Sequence, residues 1–312
     1  MNAAPRRPRA VVFAYHNVGV RCLRVLLAHD VDVRLVVTHE DRPDETIWFD
    51  SVAATARECE LDVAAPADPN APDFAADVKA LAPDFIFSFY YRQMLGEPLL
   101  AAAARGAYNM HGSLLPKYRG RVPVNWAVIR GERETGATLH RMVAKPDAGP
   151  IVAQQAVPIL PDDTAAEVFA KVTVAAEIAL DRVLPKLLAG TAEHREQDLG
   201  AGSYFGGRKP EDGRIDWSQD ATTIHNLVRG VAPPYPGAFT TVAGRPARVL
   251  RTRVLAECAP RPGGPGIYAE GGRLVADCGR GVLQVLRIEV DGAPIDAAAF
   301  AARFGAAKIP FE

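Results

Sequence analysis

The segment RAVVFAY at residues 9–15 runs into HNVGVRCLRVLLAHD, where Val20, Leu23 and Leu27 recur at helical spacing, and leaves through a second apolar strand, VDVRLVVTH. This strand–helix–strand order repeats through a helical WFDSVAATAREC, a short strand near LDVAAP, a helical DFAADVKALA and the strongly apolar DFIFSFYY. Strands alternating with helices imply a parallel sheet covered on both faces. TGATLHRMV and GPIVAQQAVPI read as two further strands, and Thr164 opens a long helix to about Leu188, with Glu167 three residues on as a capping-box partner. From Tyr204 the texture changes to Gly- and Pro-rich turns between the short apolar runs ARVLRTRV, GIYA, RLVADC and VLQVLRIEV, the pattern of a small antiparallel barrel or sandwich. At 312 residues and 48% hydrophobic, the chain exceeds what one core supports. The expectation is an α/β chain: a doubly wound, mainly parallel, Rossmann-like domain over 1–203, then a small OB-like β-barrel domain over 204–312.

Several functions are disfavoured at once. A net charge of −1 gives no bulk attraction to nucleic acid, since phosphate binding needs clustered, uncompensated Lys and Arg. The four cysteines, Cys22, Cys59, Cys258 and Cys278, lie far apart without the spacing of a metal site, so they read as reduced, mostly buried thiols and no metal is expected. The basic start MNAAPRRPRA precedes a short strand rather than a signal-peptide core, and no stretch of ~18 apolar residues occurs. A cytoplasmic protein without membrane insertion is expected. The first turn, AYHNVGV, holds only Gly19 where a dinucleotide-binding turn needs G-x-G-x-x-G, which disfavours NAD.

Ligands of a doubly wound sheet sit beyond the carboxyl ends of its strands, where SFYYRQML (88–95) and YNMHGSLLPKYRG (108–120) both fall. Asn109 and His111, two apart on an extended segment, point to one face and offer an amide donor beside a proton carrier. Asp147, in the turn KPDAGPI between two strands, can reach the imidazole and fix its tautomer. Each feature alone has an ordinary structural reading: a satisfied polar pair at a strand end, or a turn-forming aspartate. The turn SLLPKYRG is stiffened by Pro116 and Gly120 and carries the cations Lys117 and Arg119. Arg208, in YFGGRKPEDGRIDW at the expected domain junction, is a further phosphate or base contact. His16, His29, His39, His140, His194 and His225 show no comparable partner pattern and read as ordinary surface or core histidines.

NMHGSLLPKYRG together with KPDAGPI resembles the signature of formyltransferases that use 10-formyltetrahydrofolate. VVFAYHNVG, IFSFYYRQML, NMHGSLLPKYRGRVPVNW and ETGATLHRMVAKPDAGPIVAQ are most similar to the formyltransferase part of bifunctional polymyxin-resistance enzymes, which formylate UDP-4-amino-4-deoxy-L-arabinose for lipid A modification. The resemblance implies a catalytic Asn109, His111 and Asp147. It implies folate contacts at Gln93, Met94 and Leu95, at Asn109, and at Val143, Ala144, Lys145, Pro146 and Asp147, and an arginine after the signature at Arg121. The bifunctional enzymes continue into an NAD-dependent decarboxylase, so that activity is expected from a separate decarboxylase/dehydrogenase protein.

The chemistry accounts for the three residue types. An amine attacking the formyl carbon creates an oxyanion and an ammonium, and N10 of folate leaves only when protonated. Asn109 would donate to the oxyanion, His111 would move the proton, and Asp147 would hold the ring and favour its protonated form.

Methionyl-tRNA formyltransferase is the rival reading. Its members carry a Lys- and Arg-rich insertion after the second strand, whereas this chain has THEDRPDETIWFDS, with Glu40, Asp41, Asp44, Glu45 and Asp50 around a single Arg42. Such a loop repels an RNA backbone. A binding module that kept the fold and lost the reaction is the third reading, opposed by the presence of Asn109, His111 and Asp147 together.

Overall fold

The computed structural model describes residues 6–41 and 47–311; Arg42, Asp44 and Glu45 of the acidic loop lie outside them. The chain forms two compact units. One comprises the residues up to Pro123, Thr135–Val157 and Ala170–Phe205; the other comprises Val124–Glu134, Pro158–Phe169 and the stretch from Gly206. Two segments before residue 203 therefore group with the C-terminal residues, which differs from a contiguous division at 203/204. The reason lies in their side chains. Asn125 Nδ2 donates to the Gly230 carbonyl (2.9 Å), Arg229 donates to the Asp163 carbonyl (3.0 Å), and Ile129 packs against the second hydrophobic core.

In the first unit, β1 (Arg9–Ala14), β2 (Asp32–Val37), β3 (Val63–Ala64), β4 (Phe85–Phe89), β5 (Ala107–His111), β7 (Glu134–Arg141) and β8 (Ile151–Pro158) form one sheet, in the order β3-β2-β1-β4-β5-β7-β8. The first five pair in parallel, and β7 runs antiparallel to β5. A separate short pair joins β6 (Arg119–Gly120) to β9 (Tyr204–Phe205). Helices α1 (His16–Ala28), α2 (Val52–Glu58), α3 (Pro72–Ala80) and α4 (Glu97–Ala102) supply the crossovers. The continuous apolar run of β4 has a direct cause, because the strand is buried on both faces. Phe85, Phe87 and Phe89 stack along one face at 5.8 and 5.6 Å, while Ile86 faces a cluster with Val11, Phe13, Leu95 and Leu99. Strand order reverses between β1 and β4, and Tyr15 and the 90–95 loop leave the sheet there.

α5 (Pro123–Ile129) follows the signature turn, and α6 (Ala165–Ala189) begins with the expected capping box. Glu167 Oε2 accepts from the Thr164 amide (2.7 Å), and Thr164 Oγ1 accepts from the Glu167 amide (3.3 Å). Arg21 of α1 grips Glu177 of α6 with two nitrogens, at 2.7 and 2.6 Å.

The second unit is an antiparallel sheet of β10 (Ala238–Val242), β11 (Arg245–Leu255), β12 (Gly266–Glu270), β13 (Arg273–Asp277), β14 (Val282–Val290) and β16 (Ile309–Pro310), with β15 (Ala293–Pro294) beside β14. The order β10-β11-β14-β13-β12-β16 makes a curled half-barrel, with β10 and β16 as its two ends. α7 (Ala221–Val231) packs its Ile224, Val228 and Val231 into the core with Val249, Leu283 and Ile288, and α8 (Ala297–Phe304) adds Phe300. Asp277 is 0% exposed and accepts from Lys308 Nζ (3.0 Å), Tyr268 Oη (3.2 Å) and the Arg261 amide (3.1 Å), which ties the last strand to the sheet.

His225 of α7 is buried between the Thr252 hydroxyl at Nδ1 (2.9 Å) and the Pro161 carbonyl at Nε2 (3.0 Å). The carbonyl only accepts, so Nε2 carries the hydrogen and Nδ1 receives one from Thr252. Burial pushes the ring's pKa below its ordinary 6.5. The unfolded chain then binds the proton first, so the stability this ring supports is complete above about pH 6.5 and is lost as pH falls toward the folded value. Thermal melts between pH 7 and pH 5 should show the native chain losing stability by at most about 1.4 kcal/mol per pH unit through this group. His225→Gln should have a shallower slope, and identical slopes would show that the ring is not the cause.

Candidate active site

The antiparallel register of β5 and β7 sets Asn109 opposite His140 and His111 opposite Thr138. Residues directly opposite share a face, and so do residues two apart on one strand. Four polar side chains therefore stand on one patch of the sheet. Asn109 Nδ2 lies 3.2 Å from His140 Nε2, and His140 Nδ1 lies 2.9 Å from the Arg141 carbonyl. That carbonyl requires the hydrogen on Nδ1, which leaves Nε2 to accept from the Asn109 amide. Asn109 is thus oriented with its NH2 toward His140, one hydrogen engaged and the other available.

Asp147 reaches this patch from the turn between β7 and β8. Its Oδ1 lies 3.5 Å from His111 Nδ1 and 3.5 Å from His140 Nε2, and its Oδ2 accepts from the Gly120 amide at 2.8 Å. The backbone of Asp147 sits at φ 50°, a left-handed conformation costly for a residue with a Cβ. Gln197 holds the turn there, donating Nε2 to the carbonyls of Asp147 (3.1 Å) and Gly149 (2.6 Å).

The signature turn supplies main-chain groups. The Tyr118 carbonyl accepts from His111 Nε2 at 2.8 Å, and the Gly120 amide is the donor to Asp147. Gly120 has φ 96°, and a Cβ on it would run into the Phe205 carbonyl, so no other residue fits this path. The path is pinned from three sides. Ser113 Oγ donates to the Lys117 carbonyl (2.6 Å), Thr138 Oγ1 donates to the Ser113 carbonyl (2.6 Å), and Ser203 Oγ accepts from the Tyr118 amide (2.8 Å).

With Nε2–H committed to Tyr118, Nδ1 is the His111 nitrogen left to take a proton, and it faces Asp147. Burial lowers the His111 pKa, opposed by the upward pull of Asp147 and the Tyr118 carbonyl. The expected protonated ring is therefore outweighed by desolvation. Burial alone would raise the Asp147 carboxyl, but His111 and the Gly120 amide outweigh it and hold the group well below the usual carboxylate range. The result is a neutral imidazole beside an ionised carboxylate, which can accept a proton and stabilise the imidazolium formed.

The structure brings Asn109, His111 and Asp147 together, and it adds His140, which had read as an ordinary histidine. Of the loop after β4, Gln93 is exposed with Nε2 on the Ala67 carbonyl (3.0 Å), and Met94 is 59% exposed. Leu95 turns its side chain into the core, so only its main chain is available to a ligand. Val143, Ala144 and Lys145 are exposed, Pro146 is half-buried, and Met142 packs on the same apolar cluster as Leu95. Arg121 is exposed, its amide bonded to the Phe205 carbonyl (2.9 Å). Arg208 belongs to the other unit, where burial lowers its pKa against the pull of Asp212 and Tyr235. Cys22 and Cys278 are buried, whereas Cys59 and Cys258 are exposed, against the expectation of mostly buried thiols. Among the described residues, no cluster of three or more His, Cys, Asp or Glu is placed to hold a metal, and no helix is long and apolar enough to cross a membrane.

Among solved structures, WlaRD, a sugar 3N-formyl transferase determined with dTDP and 5-N-formyl-THF, aligns over 90% of this chain and 98% of its own at a TM-score of 0.70 and 17% identity. An N-formyltransferase from Helicobacter canadensis, in complex with folinic acid and dTDP-3-aminofucose, aligns over 90% and 99% at 0.69 and 18%. HypX from Aquifex aeolicus, in complex with tetrahydrofolic acid, aligns over 96% of this chain and 48% of its own at 0.63 and 18%. At these identities the likeness is one of fold. The profile of the formyl transferase family, however, matches residues 23–184, and that of the formyl transferase C-terminal domain matches residues 208–305. The first match spans β5, β7 and the turn that carries Asp147, and with it this chain belongs to the formyl transferase family.

Proposed function

We propose that this formyltransferase moves the formyl group of 10-formyltetrahydrofolate to the amine of a nucleotide-linked amino sugar. The observation that carries the reading is the shared face of Asn109, His111 and Asp147, with a neutral ring next to an ionised carboxylate. The amine nitrogen bonds to the formyl carbon, the carbon–N10 bond breaks, and the amine proton passes to N10. Asn109 donates its free N–H to the oxyanion. His111 takes the amine proton at Nδ1, where Asp147 stabilises it, and returns it to N10. Gln93, Met94, the main chain of Leu95 and the turn Val143–Asp147 would face the folate, while Arg121 would meet the phosphates of the acceptor. Relatives of the same fold solved with a folate and dTDP or a dTDP-amino sugar support this pairing of ligands.

Within this reading we assign UDP-4-amino-4-deoxy-L-arabinose as the acceptor, which would make the reaction a step of cytoplasmic lipid A modification. The support is the likeness around the signature and the acidic residues after β2, of which Asp41 accepts from Tyr15 Oη at 2.8 Å. A dTDP-linked amino sugar is the second reading, favoured by the ligands of the structural relatives. One tube holding UDP-4-amino-4-deoxy-L-arabinose, dTDP-3-aminofucose and methionyl-tRNA with limiting formyl donor distinguishes them. Label is expected on the UDP sugar. Label on the dTDP sugar would correct the acceptor, and label mainly on methionyl-tRNA would overturn the amino-sugar reading.

A further inference from the structure

Arg119 lies on β6 between the two residues whose main chain holds His111 and Asp147. It is only 9% exposed, yet its Nε has no hydrogen-bond partner and no carboxylate pairs with it among the described residues. Its backbone amide is satisfied by the Ser203 carbonyl (2.9 Å), so the segment is anchored while Nε is not. A buried donor left without a partner costs free energy, so the unmet Nε calls for an acceptor. Arg121, two residues on, differs in being exposed, where water solvates the charge.

We infer that Arg119 is the receptor for the phosphate that the acceptor carries next to its sugar, and that this phosphate supplies the missing counter-charge. The inference rests on the amino-sugar nucleotide reading above and specifies which cation the substrate completes. Position selects the phosphate over the carboxylates of folate. The main chain on either side of Arg119 bonds His111 and Asp147 directly, so Arg119 stands one residue from the groups that flank the acceptor's amine in this reading. In a nucleotide sugar a single rigid sugar ring separates the amine from the first phosphate. In folate a whole aminobenzoyl group and a flexible glutamate chain separate N10 from the carboxylates. The planar fork of Arg matches two phosphate oxygens at once, which a lysine in the same place would not.

The test compares the native chain with Arg119→Met and Arg119→Lys. UDP, dTDP, uridine and 5-formyltetrahydrofolate are titrated separately by calorimetry, and melts and steady-state kinetics are recorded beside them. Arg119→Met is expected to weaken UDP or dTDP binding by about 10- to 100-fold. It should raise KM for the amino sugar more than it lowers kcat, and leave folate and nucleoside binding within about twofold. Arg119→Lys should recover part of the loss. The melting temperature of Arg119→Met should hold or rise, because a buried donor without a partner has been removed. A fall in melting temperature with loss of both ligands would make Arg119 structural and overturn the inference. Loss of folate binding alone would assign the anion to folate, and unchanged nucleotide binding would remove Arg119 from the site; either outcome leaves the amino-sugar reading standing. A native chain that binds folate but neither nucleoside diphosphate would overturn that reading, and this inference with it.

Discussion

Asn109→Ala should lower kcat for formyl transfer by about 10²–10³, the usual loss when one oxyanion donor is removed. Its effect on KM should be small, because the amide hydrogen not held by His140 is called on only when negative charge develops on the formyl oxygen. Asp147→Asn should be at least as damaging. The amide keeps an acceptor for Gly120, but it carries no charge to stabilise a proton arriving on His111 Nδ1. Combining the two should cost far less than the product of the separate losses, since a proton with no place to go makes the oxyanion contact irrelevant. Single-turnover rates, with far-UV circular dichroism to establish folding, provide the measurement. A variant that turns over at near-native rate would remove that residue from the mechanism.

Lys308→Met should produce the largest loss of stability. Asp277 is fully buried, and Lys308, its partner at 3.0 Å, has only 15% of its side chain exposed. Removing the cation strands a carboxylate in the core, at a typical cost of about 3–5 kcal/mol. The lysine also donates to the carbonyls of Arg261 (3.0 Å) and Gly264 (2.7 Å), so the 261–264 loop loosens with it. The double variant Asp277→Asn with Lys308→Met should recover much of the loss, because no charge is left buried. Urea melts of the native chain and the two variants test this. A single variant within about 0.5 kcal/mol of native would show that the pair is not a significant support, the range expected for a surface change.

The sequence made Asn109 and His111 legible because period two on a strand is a local rule that needs no partner. Asp147 was legible as a carboxylate in a turn between strands, although its left-handed backbone and the Gln197 clamp were not. His140 was hidden for a geometric reason: it joins the site through the pairing Asn109–His140, and the register of β5 against β7 is set by long-range packing. In the second unit the strand runs were legible from their turns, but α7 was obscured by the Gly- and Pro-rich residues around it. Its own signals are plain in hindsight, with the Asp220 side chain accepting from the amides of Thr222 and Thr223 ahead of Ile224, Val228 and Val231. Residues 124–134 and 158–169 group with the second unit through buried bonds, such as Asn125 to Gly230, that leave no periodic trace in the sequence.

Ser203 and Gln197 lie 85 and 50 positions from the main-chain groups they hold, Tyr118 and Asp147. A polypeptide ending where the first family match ends, at residue 184, would contain Asn109, His111, His140 and Asp147 and still lack the hydroxyl and the amide that keep two of their supports in place. The smallest heritable piece able to run this chemistry is thus longer than the piece that bears its recognisable signature. A segment cut from this chain keeps both supports only if it runs beyond Phe205, where β9 pairs with Gly120.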